Sequence, residues 1–409
     1  MIDSMTKSYR YLQYSRTLVA ALLIAAALAV VTVSAAEAAG SITWNATFSP
    51  ENNSKFDAVA PTADGGYIAL GSALTELYGG REDLLLVKTD GEGNEVWTTR
   101  FPDLAPASVA ETSEGGYVIG SYNVSRTGMD ENPTYQGVSI LIGTGAAGEE
   151  EWREVLPGMK VSSVAETADG GYVAFGWLWS QSGSMDDTAA VITKTDSNGT
   201  PVWNRTFSGA AANTGIVTVD GGYILGGTKS PFNNDIGDAF LIRLDADGNT
   251  VWRNNYSAPT ILDIAETDEG GFAYSGNYWY GLVDAQGEEV WLKNMEGLTG
   301  YAVTLRPSGG YMIAGTDARN GEGFALGTDG DGTIQWNTTF PGTGVYAATG
   351  APGGYTLAGI RFLSPGTSAA WLVGLEEPAG TAPTTPGFGA AAAGAAFLLL
   401  TIAGRKRRR

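Results

Sequence analysis

Ala63-Asp64-Gly65-Gly66-Tyr67, followed by Asp90-Gly91-Glu92-Gly93-Asn94-Glu95-Val96-Trp97, is the stretch that decides how this chain folds. The first phrase is a tight turn: glycine takes positive φ without a Cβ clash, and an aromatic residue opens the strand that follows. It recurs, with Asp, Glu, Ser or Pro ahead of the glycines, at Tyr117, Tyr172, Tyr223, Phe272, Tyr311 and Tyr355. The second phrase, Asp-x-x-Gly with tryptophan four residues after the glycine, recurs at Asp196/Gly199, Asp245/Gly248, Asp284/Gly287 and Asp329/Gly332; the copy ending at Trp152 has Gly145 in place of the aspartate. Short alternating runs rich in β-branched and aromatic residues lie between the turns. A period of 39 to 55 residues with several short strands per unit predicts an all-β, seven-bladed β-propeller of four-stranded blades over residues 39–376.

The seventh repeat lacks its tryptophan strand, while one stands before the first. Ile42-Thr43-Trp44-Asn45-Ala46-Thr47-Phe48 matches Val202-Trp203-Asn204-Arg205-Thr206-Phe207 and Gln335-Trp336-Asn337-Thr338-Thr339-Phe340. The N-terminal strand is therefore expected to complete the last blade, removing the open edge of a linear array. The tryptophan phrase is similar to the docking motif of quinoprotein-type propellers. That resemblance implies that Trp97, Trp152, Trp203, Trp252, Trp291 and Trp336, with Trp44 at the closure, pack between blades. It extends no further, because quinoprotein dehydrogenases have eight blades and adjacent cysteines over their cofactor. Kelch repeats place their double glycine at the end of a strand, and WD repeats need a Gly-His.

The chain has no cysteine and no histidine. Disulfides, Cys/His zinc sites, Ser-His-Asp triads and imidazole acid-base steps are excluded. The formal charge of −20 makes nucleic acid and anionic lipid headgroups poor partners. No cofactor is expected. Asp83, Asp187 and Asp238 near the third strands are candidates for Ca²⁺, but aspartates at such positions more often accept backbone N–H bonds. Asp245-Ala246-Asp247-Gly248-Asn249 looks like a calcium loop yet lacks the distal Glu, so turn chemistry is the better reading.

At the N-terminus, Lys7, Arg10 and Arg16 precede the apolar run Leu18 to Val33 and small residues at cleavage spacing, which predicts a helical export signal over 1–38 for signal peptidase. At the other end a Thr/Pro/Gly linker, 377–386, leads to Pro386-Gly387-Phe388, an apolar stretch, and Arg405-Lys406-Arg407-Arg408-Arg409. This order resembles the PGF-CTERM signal of archaeal surface proteins. The resemblance implies that Pro386, Gly387 and Phe388 direct cleavage and lipidation by an archaeosortase. Physics alone reads 387–409 as a helical membrane segment with its cations on the cytoplasmic side. Both readings place the propeller on the cell surface, anchored at its C-terminus, as part of an archaeal envelope or S-layer.

Sequons for N-glycosylation begin at Asn45, Asn52, Asn123, Asn198, Asn204, Asn255 and Asn337, in keeping with a surface glycoprotein. The loops joining second to third strands hold Tyr78, Arg81, Tyr135, Trp179, Phe232, Arg319 and Phe362, whose aromatic and polar character suits a glycan or protein ligand. The expected function is a non-catalytic binding or structural module. The alternative is a polysaccharide hydrolase or lyase working through loop-face carboxylates.

Overall fold

The structure is a computed structural model that describes residues 39–48, 53–74, 82–127, 134–178, 188–229 and 239–378, with backbone alone at 124–127 and 134–137. Among these residues every regular element is a β-strand, and every strand pairing is antiparallel. Strand β1 (Ser41–Phe48) comes first in the chain but belongs to the last sheet. The first sheet is β2 (Ser54–Pro61), β3 (Tyr67–Leu74), β4 (Glu82–Thr89) and β5 (Glu95–Phe101). The second is β6 (Ala105–Glu111), β7 (Tyr117–Thr127), β8 (Thr134–Thr144) and β9 (Glu150–Pro157). Then follow β10 (Met159–Glu166), β11 (Tyr172–Leu178), β12 (Ala189–Thr195) and β13 (Pro201–Ser208). A fourth holds β14 (Ala211–Val217), β15 (Tyr223–Thr228), β16 (Ala239–Leu244) and β17 (Thr250–Tyr256).

The next sheet has seven strands: β18 (Asp263–Glu266), β19 (Phe272–Ser275), β20 (Asn277–Val283), β21 (Glu289–Leu305), β22 (Tyr311–Asp317), β23 (Gly323–Thr328) and β24 (Ile334–Phe340). The long strand β21 joins two groups: Glu289 to Asn294 pair mainly with β20, and Leu298 to Leu305 pair with β22. The last sheet runs β25 (Thr343–Ala351), β26 (Gly354–Ser364), β27 (Thr367–Glu376) and then β1. Phe48 opposes Ala370 and Ser41 opposes Glu376, so the chain's first strand covers the edge of its last. The opening strands lie side by side in a cycle: β2 against β6, then β10, β14, β18, β21, β25 and β2 again.

The two repeated turns fold for local reasons. Asp64 accepts the Thr62 hydroxyl at 2.6 Å and the Gly66 N–H at 3.0 Å, while Lys88 reaches across from β4 to its other oxygen at 2.8 Å. Thr167/Asp169/Lys194 and Thr218/Asp220/Arg243 repeat the arrangement. The bond from the Thr167 hydroxyl and then the Lys194 ammonium hold Asp169 down to about 2. In the second turn Asp90 accepts the N–H groups of Glu92 and Asn94 at 3.0 and 2.8 Å, and Asp245 does the same for Asp247 and Asn249. Asp245 is thus committed to its own turn.

Each indole lies against the aromatic residue of the following Gly-Gly turn. Trp97 meets Tyr117 with ring centres 5.8 Å apart, Trp152 meets Tyr172 at 5.3 Å, and Trp203 meets Tyr223 at 5.8 Å. Trp252 with Phe272, Trp291 with Tyr311 and Trp336 with Tyr355 continue the series. Trp44 meets Tyr67 at 5.9 Å, which carries the belt across the seam between last and first sheets. A Cβ on Gly93 would sit 2.5 Å from the Trp44 ring, so glycine there leaves room for the indole to lie flat. Apolar cores fill the spaces between sheets, as where Phe175 and Ile192 pack with Leu225 and Phe240.

Several boundaries differ from the sequence reading. The connection expected to hold Tyr135 is shorter than the sequence reading implies, since β7 and β8 pair as far as Thr127 and Thr134. Tyr135 therefore lies in a strand, opposite Arg126. Asp83 lies inside β4, where Oδ1 accepts the Asp103 N–H at 3.1 Å. Asn277 and Tyr278 begin β20, with Tyr278 at a φ of 63° taking the bend. Phe362 lies in β26, two residues short of its end.

Candidate functional site

The inner wall departs from regular pairing at one recurring point. Between six of the seven opening strands and their neighbours the register skips one residue: Asp57 in β2, Ala107 in β6, Ser162 in β10, Asn213 in β14, Tyr301 in β21 and Tyr346 in β25. A bulge puts two residues opposite one and turns adjacent side chains toward the same side, which strict alternation forbids. All six skipped residues, and the residue after each, line a single cavity of about 540 Å³. Strand β18 adds Asp263, with Leu262 just before it.

The chamber lies toward the beginnings of the opening strands. Because β2 and β3 are antiparallel, the beginning of β2 pairs with the end of β3, with Ser54 opposite Ala73. The chamber therefore sits at the end of the molecule from which second-to-third connections emerge.

Two clusters of cation and aromatic rings stand at its wall, one with Lys160 lining the cavity and one with Lys55 behind the lining residues Asp57 and Tyr346. Lys160 Nζ lies 5.2 Å from the ring centre of Tyr122 and 5.6 Å from that of Trp177. Lys55 pairs with Asp57 at 2.6 Å and lies 5.7 Å from the centre of Tyr346, which meets Tyr301 edge-on. Burial draws Lys160 below the ordinary lysine value, and no carboxylate among the described residues opposes it. Burial acts on Lys55 in the same direction, but Asp57, with Glu82 and Tyr346, outweighs it and leaves Lys55 raised. Asp57 is pushed above the usual carboxylate range by burial against the pull of Lys55. Asp263 accepts the Val303 N–H at 2.8 Å, and burial pushes it up to about 7. Asn213 donates its amide to Thr260 Oγ1 and Ile261 O, both at 3.0 Å. Ser162 and Ser163 donate to Ala212 O and Gly215 O, tying β10 to β14. Among the described residues no group of three or more Asp, Glu, His or Cys is placed to hold a metal ion.

Of the loop residues singled out from sequence, the described side chains of Arg319 and Phe362 do not line the chamber. Tyr78, Arg81, Trp179 and Phe232 lie outside the described residues, as do Asp187, Asp238 and Asn52. Arg319 is two-thirds exposed and bound through two nitrogens to Asp317, at 2.8 and 2.7 Å. Phe362 and its neighbour Leu363 are exposed at the β26–β27 connection. The sequon residues Asn45, Asn198, Asn204, Asn255 and Asn337 are exposed, whereas Asn123 is half-buried and donates to Asp103 O at 3.1 Å. Asn45 also accepts the Trp371 indole N–H at 2.9 Å. The export and sorting segments, Pro386, Gly387 and Phe388 among them, lie outside the described residues; no helix among those described is long and apolar enough to cross a membrane. Sequence reasoning missed Lys55, Asp57, Tyr122, Lys160, Trp177, Asp263, Tyr301 and Tyr346. No sequence signal marks them, because the bulge that brings them together is visible only in the strand register.

No protein-family model matches the chain, and no curated protein sequence does. Among solved structures, the chain is similar to the Dos1 propeller, with 10% identity over 81% of this chain and 94% of that one and a TM-score of 0.50. It is also similar to a protein of unknown function from Dyadobacter fermentans DSM 18053, with 11% identity over 82% of this chain and 99% of that one and a TM-score of 0.48. The class that the repeated sheets and the first of these likenesses define is the β-propeller.

Proposed function

We propose that the chain is a seven-bladed propeller, exported and anchored at the cell surface, that acts as a non-catalytic binding module for a polysaccharide or protein of the archaeal envelope. Dividing β21 between two blades, and giving β1 to the last, yields seven four-stranded units around one axis. The observation that carries the binding role is the chamber. Its walls come from every opening strand, its volume falls within the ~300–1,000 Å³ usual for ligand sites, and it pairs aromatic faces with unlike polar groups. The acidic body keeps nucleic acid away. Immobilised protein should retain a glycan or surface protein from its own envelope, and no retention would remove this reading. On the anchoring side, mass spectrometry of protein from its native envelope should find a chain ending near Pro386 and carrying a lipid, made by signal peptidase and an archaeosortase-like enzyme. An unmodified terminus at Arg409 would leave a plain membrane segment instead.

The second reading, a carboxylate-based hydrolase or lyase, is favoured by one observation. Asp57 and Asp263 share the chamber and both are raised, as a general acid would be. It requires new reducing or unsaturated ends from an envelope polysaccharide, lost in Asp57→Asn or Asp263→Asn.

A further inference from the structure

The charges in the chamber do not cancel. Lys55 is neutralised by Asp57 at 2.6 Å. Lys160 stands at the equivalent place in its own strand: Lys55 opposes Ser72 one step before the bulge of β2, and Lys160 opposes Trp177 one step before the bulge of β10. Where Asp57 follows in β2, however, Ser162 follows in β10, and its hydroxyl is spent on Ala212 O at 2.9 Å. Lys160 is therefore a half-buried ammonium with rings for neighbours and no carboxylate partner among the described residues. In a protein of formal charge −20, a cation with no acid beside it among the described residues is an exception to the general field. Desolvating it costs free energy that two aromatic contacts offset only in part. An anion entering the chamber would recover the rest.

The surroundings narrow the anion. Trp177, Tyr122, Tyr301 and Tyr346 offer flat apolar faces of the kind on which the C–H face of a sugar ring lies, while the tyrosine hydroxyls, the Asn213 amide oxygen and Asp57 offer hydrogen bonds to its O–H groups. A phosphate or sulfate would want several converging cations or backbone N–H donors, and one ammonium flanked by rings is a poor match. We propose that the chamber binds a carboxylated sugar, of the hexuronate type, with its carboxylate on Lys160 and its ring against the aromatic side chains. This deepens the envelope-binding reading and rests on it. The paired Lys55–Asp57 at the corresponding position of β2 then meets hydroxyls, since its charge is already balanced.

The test is titration calorimetry on the full-length protein with glucuronate and galacturonate, against glucose and glutamate as probes lacking the acid or the ring. The uronates should bind, with glucose and glutamate each weaker by about tenfold or more, as expected for loss of a charge-assisted bond or of the stacking face. Lys160→Gln should weaken the uronates by about tenfold or more and leave glucose unchanged, and Lys160→Arg should restore much of the loss. If Lys160→Gln melts below the assay temperature, Tyr122→Leu in the same titration should weaken uronate and glucose alike. Equal binding of uronate and glucose, or uronate binding unaltered in a folded Lys160→Gln protein, overturns the proposal. A protein that retains envelope polysaccharide but binds no uronate overturns this assignment alone; one that retains neither glycan nor surface protein overturns the binding reading itself.

Discussion

The indole belt and the chamber wall are built from the same repeats in opposite ways. In the belt, Trp44, Trp97, Trp152, Trp203, Trp252, Trp291 and Trp336 each meet a Tyr or Phe that opens the next second strand, with ring centres 5.3 to 6.4 Å apart. At the bulge, the same structural position holds Asp57, Ala107, Ser162, Asn213, Tyr301 and Tyr346, no two chemically alike except the last pair. Where a side chain must hold neighbouring sheets together, every copy faces the same packing problem and one answer recurs. Where it faces the chamber, nothing in the fold dictates its identity. Departure from the repeat then marks the surface open to chemistry.

The contrast can be broken most forcefully at the seam. Deleting Ser41–Phe48 takes away the partner of β27 and the indole that meets Tyr67, leaving an open edge beside a buried core. Limited proteolysis should then cut within 344–375, and the protein should self-associate in sedimentation. A monomer as resistant as the intact chain would show that β1 is dispensable. Next in size is Trp336→Ala. This indole is fully buried, so its loss should cost about 3–5 kcal/mol in denaturant unfolding. Ala107→Ser in the chamber should by contrast stay within about 0.5 kcal/mol, and equal losses at both would erase the distinction.

A smaller effect belongs to the turns. Asp169→Ala removes both the acceptor of the Thr167 hydroxyl and the partner of Lys194, whose side chain is 8% exposed. About 1–3 kcal/mol should be lost, with Glu269→Ala, at the equivalent position of a turn without the cation, losing less. A further effect is a pH dependence. Asp263 titrates at about 7 in the folded chain and near 4 when unfolded, so the folded state holds its proton more tightly. The resulting stability is present in full below about pH 4 and fades as pH rises to about 7. Asp263→Asn should flatten that part of the profile in thermal melts between those values, and an unchanged slope would show that Asp263 ionises freely.

The belt and the closure are legible in sequence because they repeat. Gly-Gly-aromatic and Asp-x-x-Gly-x-x-x-Trp set the turns, and the likeness of Trp44, Trp203 and Trp336 strands marks β1 as a displaced last strand. The chamber is hidden because a bulge breaks the period-two rule: Asp57 and Ala58 are adjacent in sequence yet line one cavity, so alternation puts one of them on the wrong face. Lys160 is invisible for another reason. Its meaning comes from Ser162 standing where Asp57 stands in the first sheet, and that equivalence emerges only from strand register. Loop aromatics draw attention from sequence because they are conspicuous, but Arg319 is held by Asp317 and Tyr135 belongs to a ladder.

In the proposed division of labour the belt holds the fold while the chamber wall binds. That division is tested most directly by measuring melting temperature and glucuronate affinity on Trp336→Ala and Lys160→Gln side by side. Trp336→Ala should melt many degrees lower yet, below its transition, bind within about threefold of the unaltered protein, whereas Lys160→Gln should melt within about two degrees of it and bind about tenfold more weakly. Affinity that falls in step with melting temperature across both variants would contradict it.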